Sequence, residues 1–189
     1  MPSLQLKAEP LLGGFCSTSD GTDLTELTKL AIVSIAIPMG GDAAVASAVS
    51  KAFGADMPNP GGSTLSSDGQ TRFIWTAPDQ LFALFEDEGP DAAADMRERL
   101  DGTAYVTLQS DSWVALRLSG CKAQEALERI CPIDLHQSAF PTGRVSRTAM
   151  EHMGAIVIGE GGNSFLLLSA SSSAKSYLHA VKTSLQNVS

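Results

Sequence analysis

Basic side chains are in short supply in this chain: 13 Lys and Arg stand against 21 Asp and Glu, a formal net charge of −8. Nucleic-acid binding needs a basic face that displaces counterions, so this balance argues against it. Cysteine is scarcer still, with Cys16, Cys121 and Cys131 odd in number and unclustered. No disulfide framework is expected, and the three read as small hydrophobes in a reducing, cytoplasmic setting. His136, His152 and His179 are the only histidines. None falls in a CxxC, HxxxH or HExxH spacing, so no zinc site is expected. The strongest apolar run, residues 30–39, is far short of the ~20 residues that span a bilayer. The N-terminus has no basic segment followed by a long apolar core, and neither secretion nor membrane insertion is expected.

What the chain has is enough length, 189 residues, to bury about two-thirds of its unfolded surface as one domain or two small ones. Residues 1–23 are rich in Ser, Gly, Thr and Pro, with scattered Leu4, Leu6, Leu11 and Phe15. They read as an arm with no core element, suited to docking on a partner. Regular patterning then predicts a strand over 31–37 and an alanine-rich helix over 42–53, with Asp42 as N-cap and Gly54 as C-cap. A Pro/Gly loop over 57–69 precedes two strands, 71–76 and 80–85, joined by Ala77-Pro78-Asp79. A helix follows over 91–100, and a strand over 103–109.

The stretch 111–136 is the most particular. Trp113, Ala115 and Arg117 alternate with Val114, Leu116 and Leu118, the period-2 signature of a half-buried strand. Ser119-Gly120 ends it, Ala123, Ala126, Leu127 and Ile130 recur at helical spacing, and Pro132 stops the helix. Strand, glycine turn and helix repeat the order seen after residue 31. The repetition continues: 155–168 matches 73–85 as strand, turn and strand, with 160–163 as the turn, and 173–185 matches the helix at 91–100. A further strand is expected over 147–153. The expected fold is therefore α+β, two pseudo-repeated βαββα units (about 30–100 and 103–187) with antiparallel sheets and helices outside them.

Candidate chemistry is thin. Asp134, His136 and Ser138 lie close in sequence, but a triad needs a strained nucleophile turn or an oxyanion nest. A turn cap at Asp134 and a packed His136 is the simpler reading. Trp75 and Trp113 sit in alternating strands, where core burial comes first, interface anchoring second and stacking on a pterin or flavin third. Arg117 suits a salt bridge or an outward position better than a carboxylate ligand. Arg144 and Arg147 read as loop charges or partner contacts. The glycines at 154, 159, 161 and 162 lack a Gly-Lys-Ser/Thr or an intact GxGxxG and mark a hairpin.

A resemblance does carry further. Trp75-Thr76-Ala77-Pro78-Asp79-Gln80, Asp111-Ser112-Trp113-Val114, Leu116-Arg117-Leu118-Ser119-Gly120, Cys131-Pro132-Ile133-Asp134-Leu135-His136 and Phe140-Pro141, with Gly143, Arg147 and Thr148 behind, resemble the gamma subunit of heterotetrameric sarcosine oxidase. Phe165-Leu166-Leu167-Leu168, Ser173-Ala174 and Ser176 match that family's closing strand and helix. Ala170-Ser171-Ser172 departs from it, since relatives usually carry a basic residue there.

The resemblance implies a fold related to the folate-binding aminomethyltransferase, the T-protein of glycine cleavage. Beyond the arm over 1–23 read from composition, it implies one folate-enzyme-like domain over 24–189. It also implies a noncatalytic subunit docked on the large alpha subunit, with beta and delta in the same complex. That complex oxidises sarcosine with O2 to glycine and peroxide and passes a one-carbon unit to tetrahydrofolate. FAD, FMN, NAD, zinc and tetrahydrofolate are expected on the other subunits, and no catalytic, cofactor-binding or metal residue on this one. The alternative is an independent folate-binding or aminomethyl-transfer protein. The apolar loop 132–141 is then either a plug of this chain's own core or a partner interface, with Ile133, Asp134, Leu135, His136 and Phe140 as candidate contacts.

Overall fold

The computed structural model describes residues 9–86, 89 and 91–188. Leu4 and Leu6 of the expected arm, and most of the lead into the helix after residue 86, lie outside those residues. In chain order come β1 (Cys16–Ser19), β2 (Thr22–Glu26), β3 (Leu30–Ala36), α1 (Asp42–Phe53), β4 (Ser63–Leu65), β5 (Thr71–Ala77), β6 (Gln80–Glu86), α2 (Ala92–Arg99) and β7 (Tyr105–Leu108). Then follow β8 (Trp113–Gly120), α3 (Ala123–Glu128), β9 (Val145–Met150), β10 (Met153–Gly161), β11 (Ser164–Ala170) and α4 (Ala174–Gln186).

All strand pairs are antiparallel, in two sheets of order β4-β5-β6-β3-β7 and β9-β10-β11-β8-β2-β1. The chain exchanges strands between them: β2 precedes β3 yet pairs with β8, and β7 precedes β8 yet pairs with β3. Three apolar layers result. Odd-numbered residues of β3, such as Val33 and Ile35, pack under Val45, Val49 and Phe53 of α1 and Met96 of α2. Val114, Leu116 and Leu118 of β8 pack under Leu127 of α3 and Tyr177, Val181 and Leu185 of α4. Between the sheets lie Ile32, Ile74, Phe82, Leu84, Ala115, Ile156, Ile158, Leu166 and Leu168. The order of layers is helix, sheet, sheet, helix, and the α+β class with antiparallel sheets holds.

Several local expectations need correction. The arm does not run to Asp23: β1 and β2 form a hairpin, and Thr22 and Leu24 are fully buried. Two of the three inward side chains of β2, Thr22 and Glu26, are polar, so no apolar alternation betrays the strand. β4 lies inside the expected 57–69 loop and is a three-residue edge strand beyond glycines, too short to carry a period. Asp42 is the first helical residue of α1 and not its cap; Gly41 fills that place, and Asp42 instead sits where the helix dipole favours an anion. Gly54 does end the helix in a left-handed conformation, its N–H donating to Ser50 O. The last hairpin turns more tightly than expected, at Gly162 (φ 60°) and Asn163 (φ 57°), which leaves Glu160 on β10. β8 is buried on both faces, because a second sheet covers the side that would otherwise meet water.

Gly120 is where the exchange of β2 becomes possible. It pairs with Thr22, and its φ is 124°. A Cβ there would collide with Gly21 O and stand 2.6 Å from the Thr22 Cα. Only glycine lets β2 lie this close to the end of β8.

Candidate functional site

The loop that follows α3 continues the helix's own hydrogen bonding before it turns: Cys131 N donates to Leu127 O at 2.8 Å. Asp134 Oδ1 then accepts from His136 N at 2.9 Å, an Asx turn. His136 O closes a second turn by accepting from Ala139 N and Phe140 N, both at 2.8 Å. These turns aim Leu135 and Phe140 inward. Leu135 is 1% and Phe140 7% exposed, and both belong to the core beneath α3 and α4. The Phe140 ring lies 6.5 Å from that of Phe165. Gly159 makes room for it, since a Cβ there would stand 3.2 Å from Phe140 Cδ1. Backbone pairs Gly143 N to Gly159 O (2.8 Å) and Gly159 N to Arg144 O (2.9 Å) stitch the loop to β10.

Of the five candidate contacts, then, Leu135 and Phe140 are taken up by the chain's own packing. Ile133 is half-buried against the same core, and Asp134 and His136 stand on the surface. Asp134, His136 and Ser138 do come together, but not as a triad. Ser138 Oγ meets His136 Nδ1 at 2.8 Å, while Asp134 is spent on the His136 backbone and not on the ring. Among the described residues no carboxylate orients the imidazole, so the third member of a triad is missing.

Arg117 makes the salt bridge. Its Nε lies 2.7 Å from Glu160 Oε2 and its Nη2 3.0 Å from Oε1, a bidentate pair at one end of the inter-sheet layer. Ser164 Oγ donates to Glu160 Oε2 at 3.0 Å. Burial pushes the Glu160 carboxyl up, but Arg117, by hydrogen bond and charge, and Ser164 hold it below its ordinary value. Arg147 reaches across the layer's other end, its Nη1 3.5 Å from Thr76 O. Trp113 packs edge-on to Phe82 at 5.7 Å, half-buried between the sheets, and Trp75 lies half-buried against the core under α1. Neither ring is laid open on a face.

Two buried polar groups were not legible in the sequence. Glu26 is 7% exposed; its Oε1 accepts from Leu12 N (2.9 Å) and its Oε2 from Gly14 N (2.7 Å) and Phe15 N (3.3 Å). It clasps the segment before β1 to the end of β2. Tyr177 is fully buried, and burial raises its pKa; its hydroxyl has no hydrogen-bond partner among the described residues. Glu26 ends a short strand whose inward side chains are mostly polar, and Tyr177 falls on the buried face of α4 among apolar residues, so neither role was marked by a period. Among the described residues, no group of three or more His, Cys, Asp or Glu is placed to hold a metal ion, and no helix is long and apolar enough to cross a membrane.

A match to the sarcosine oxidase gamma subunit family spans residues 39–186. The chain belongs to that family. Within the family, the sarcosine oxidase subunit gamma of Corynebacterium sp. (strain P-1) is 30% identical over 166 residues, covering 86% of this chain and 79% of that one. The subunit gamma of an Arthrobacter species is 28% identical over 155 residues, 80% of this chain and 74% of its own. A chain of the heterotetrameric sarcosine oxidase from Corynebacterium sp. U-96 has the same fold, with a TM-score of 0.74 at 23% identity over 88% of this chain and 85% of that one. The glycine cleavage aminomethyltransferase T from Bartonella henselae shares it too, at TM-score 0.60 and 11% identity over 85% of this chain and 45% of that larger one. The fold relationship to the T-protein implied by the sequence motifs therefore holds.

Proposed function

We propose that this chain is a noncatalytic, structural subunit of a sarcosine oxidase complex, docked on the large folate-binding subunit. The observation that carries the reading is family membership over residues 39–186. The fate of the family's most particular motif supports it: Cys131, Leu135 and Phe140 are spent on packing, and Asp134 and His136 face out. In this reading the alpha, beta and delta subunits hold FAD, FMN, NAD, zinc and tetrahydrofolate, and the assembly works in the cytoplasm. The chain is one folate-enzyme-like domain of two similar halves, about 30–100 and 103–187. The matching strand orders β4-β5-β6-β3 and β9-β10-β11-β8 support that division, while β2 and β7 cross it, each pairing in the other half's sheet.

The independent folate-binding alternative is not favoured. It needs a pocket through the middle of the fold with a carboxylate at its floor. The middle is filled by Ile32, Ile74, Phe82, Leu84, Ile156, Ile158, Leu166 and Leu168. The test is to co-express the tagged chain with the other subunits and to titrate the isolated chain with tetrahydrofolate. A flavoprotein retained on the tag, and no saturable folate binding, is the expected result. A chain that elutes alone and binds folate overturns the proposal.

A further inference from the structure

The mouth of the inter-sheet layer beside Arg117 opens into a cavity of about 380 Å³, also lined by Lys29, Arg72, Gln70, Glu86 and Glu160. Its charges are unequally satisfied. Glu160 already accepts three hydrogen bonds, one on Oε1 from Arg117 and two on Oε2 from Arg117 and Ser164. Glu26, which also borders the cavity, is spent on three backbone N–H groups. Glu86 is exposed at the end of β6. Arg72, half-buried on the inner face of β5, makes one hydrogen bond, Nη1 to Ser63 Oγ at 3.0 Å, and no ion pair among the described residues. Burial and the neighbouring Arg117 charge depress its pKa, with Glu160 opposing them. A guanidinium carries five N–H donors in a fixed fork, and four of Arg72's remain unspent. Arg117, committed through Nε and Nη2, has its Nη1 unspent beside them.

We propose that this cavity binds a carboxylate, received bidentate by the fork of Arg72 and flanked by Arg117 Nη1. Glu160 stabilises the Arg72 charge only from a distance, because its direct contacts are to Arg117 and Ser164; an anion in the cavity adds the direct, hydrogen-bonded partner that Arg72 lacks. The carboxylate can arrive on a small organic acid or on an acidic side chain of a neighbouring subunit, and the chemistry at Arg72 is the same. The small-acid source stands independently of the subunit reading; the side-chain source rests on it.

Glutarate serves as the probe, titrated into the full-length chain with the arginine Nε–H signals followed by NMR against a sodium chloride control. The expected result is a saturable shift of the Arg72 signal, lost in Arg72→Gln and weakened at least tenfold in Arg72→Lys, which keeps the charge but not the fork. The melting temperature of each variant reports whether it is folded, and Arg72→Lys decides if Arg72→Gln is not. If glutarate leaves the signal unmoved but assembly with the other subunits moves it, and a folded Arg72→Lys chain is retained at least tenfold less, the carboxylate belongs to a partner. If neither glutarate nor assembly moves the signal beyond the chloride control, the proposal is wrong. A wild-type chain that fails to assemble removes the subunit reading and leaves the glutarate result to stand alone.

Discussion

The two sheets, of five and six strands, close their open ends differently. After α1, the chain crosses 54–62 with little apolar weight: Ala55 is buried, Met57 is only partly so, and β4 is a short edge strand. After α3, the equivalent crossing drives Leu135 and Phe140 under the sheet and uses Gly159 to admit a ring. The distinctive motif of the second crossing is thus explained by packing, and only its polar residues are left over for a partner. Distinctive sequence in a loop need not mean chemistry; it can mean that the loop is part of the core.

The sharpest break of that comparison is Leu135→Asp. A carboxylate without a partner in the core costs several kcal/mol out of a total stability of about 5–15 kcal/mol. No folded chain is expected by circular dichroism. Phe140→Ala should cost about 3–4 kcal/mol in urea unfolding, whereas Met57→Ala on the matching crossing should cost about 1–2 kcal/mol. Equal losses at the two sites would erase the distinction. Gly120→Val, which forces β2 away from β8, should cost about 3 kcal/mol or more, seen as a fall in melting temperature of about 6 °C or more.

Much of this architecture was legible in the sequence where burial and period agree. The helices and the long strands β3, β5, β6, β8 and β11 carry two apolar faces or a clear stripe, and glycine at 54 and proline at 132 mark where helices end. What was hidden had a physical reason. β2 buries Thr22 and Glu26, whose satisfaction depends on segments far away in sequence, Lys122 N for the hydroxyl and the Leu12–Phe15 backbone for the carboxylate. At the loop 131–141, spacing showed that apolar side chains needed cover but could not say whose. The Arg117–Glu160 pair joins residues 43 apart that meet only because β11 lies between their strands.

That pair sharpens the comparison further, since it belongs to the second sheet alone. Glu160→Gln should cost about 1–2 kcal/mol, discounted because the Arg117 side chain is 43% exposed. The pH dependence has a defined sign. The Glu160 carboxyl is held below its unfolded value, so its contribution is present above that value and is lost as pH falls through the lower folded one. Acid titration of the melting temperature should show a shallower low-pH decline in the Glu160→Gln chain. An unchanged profile would mean that the pair adds nothing. The smallest effect is expected at Tyr177→Phe, which removes a buried hydroxyl with no partner and should raise stability by about 1 kcal/mol.

One measurement bears most directly on the claim that the loop is core on its inside and contact on its outside. The surface variant Asp134→Lys/His136→Glu leaves Leu135 and Phe140 in place, so its melting temperature should stay within about 2 °C of wild type. Co-expressed with the other subunits, it should be retained in the complex at no more than about a tenth of the wild-type yield, the loss of roughly 1.4 kcal/mol or more of contact. A folded double variant retained in full yield would contradict the account, leaving the loop as a core plug with no part in docking.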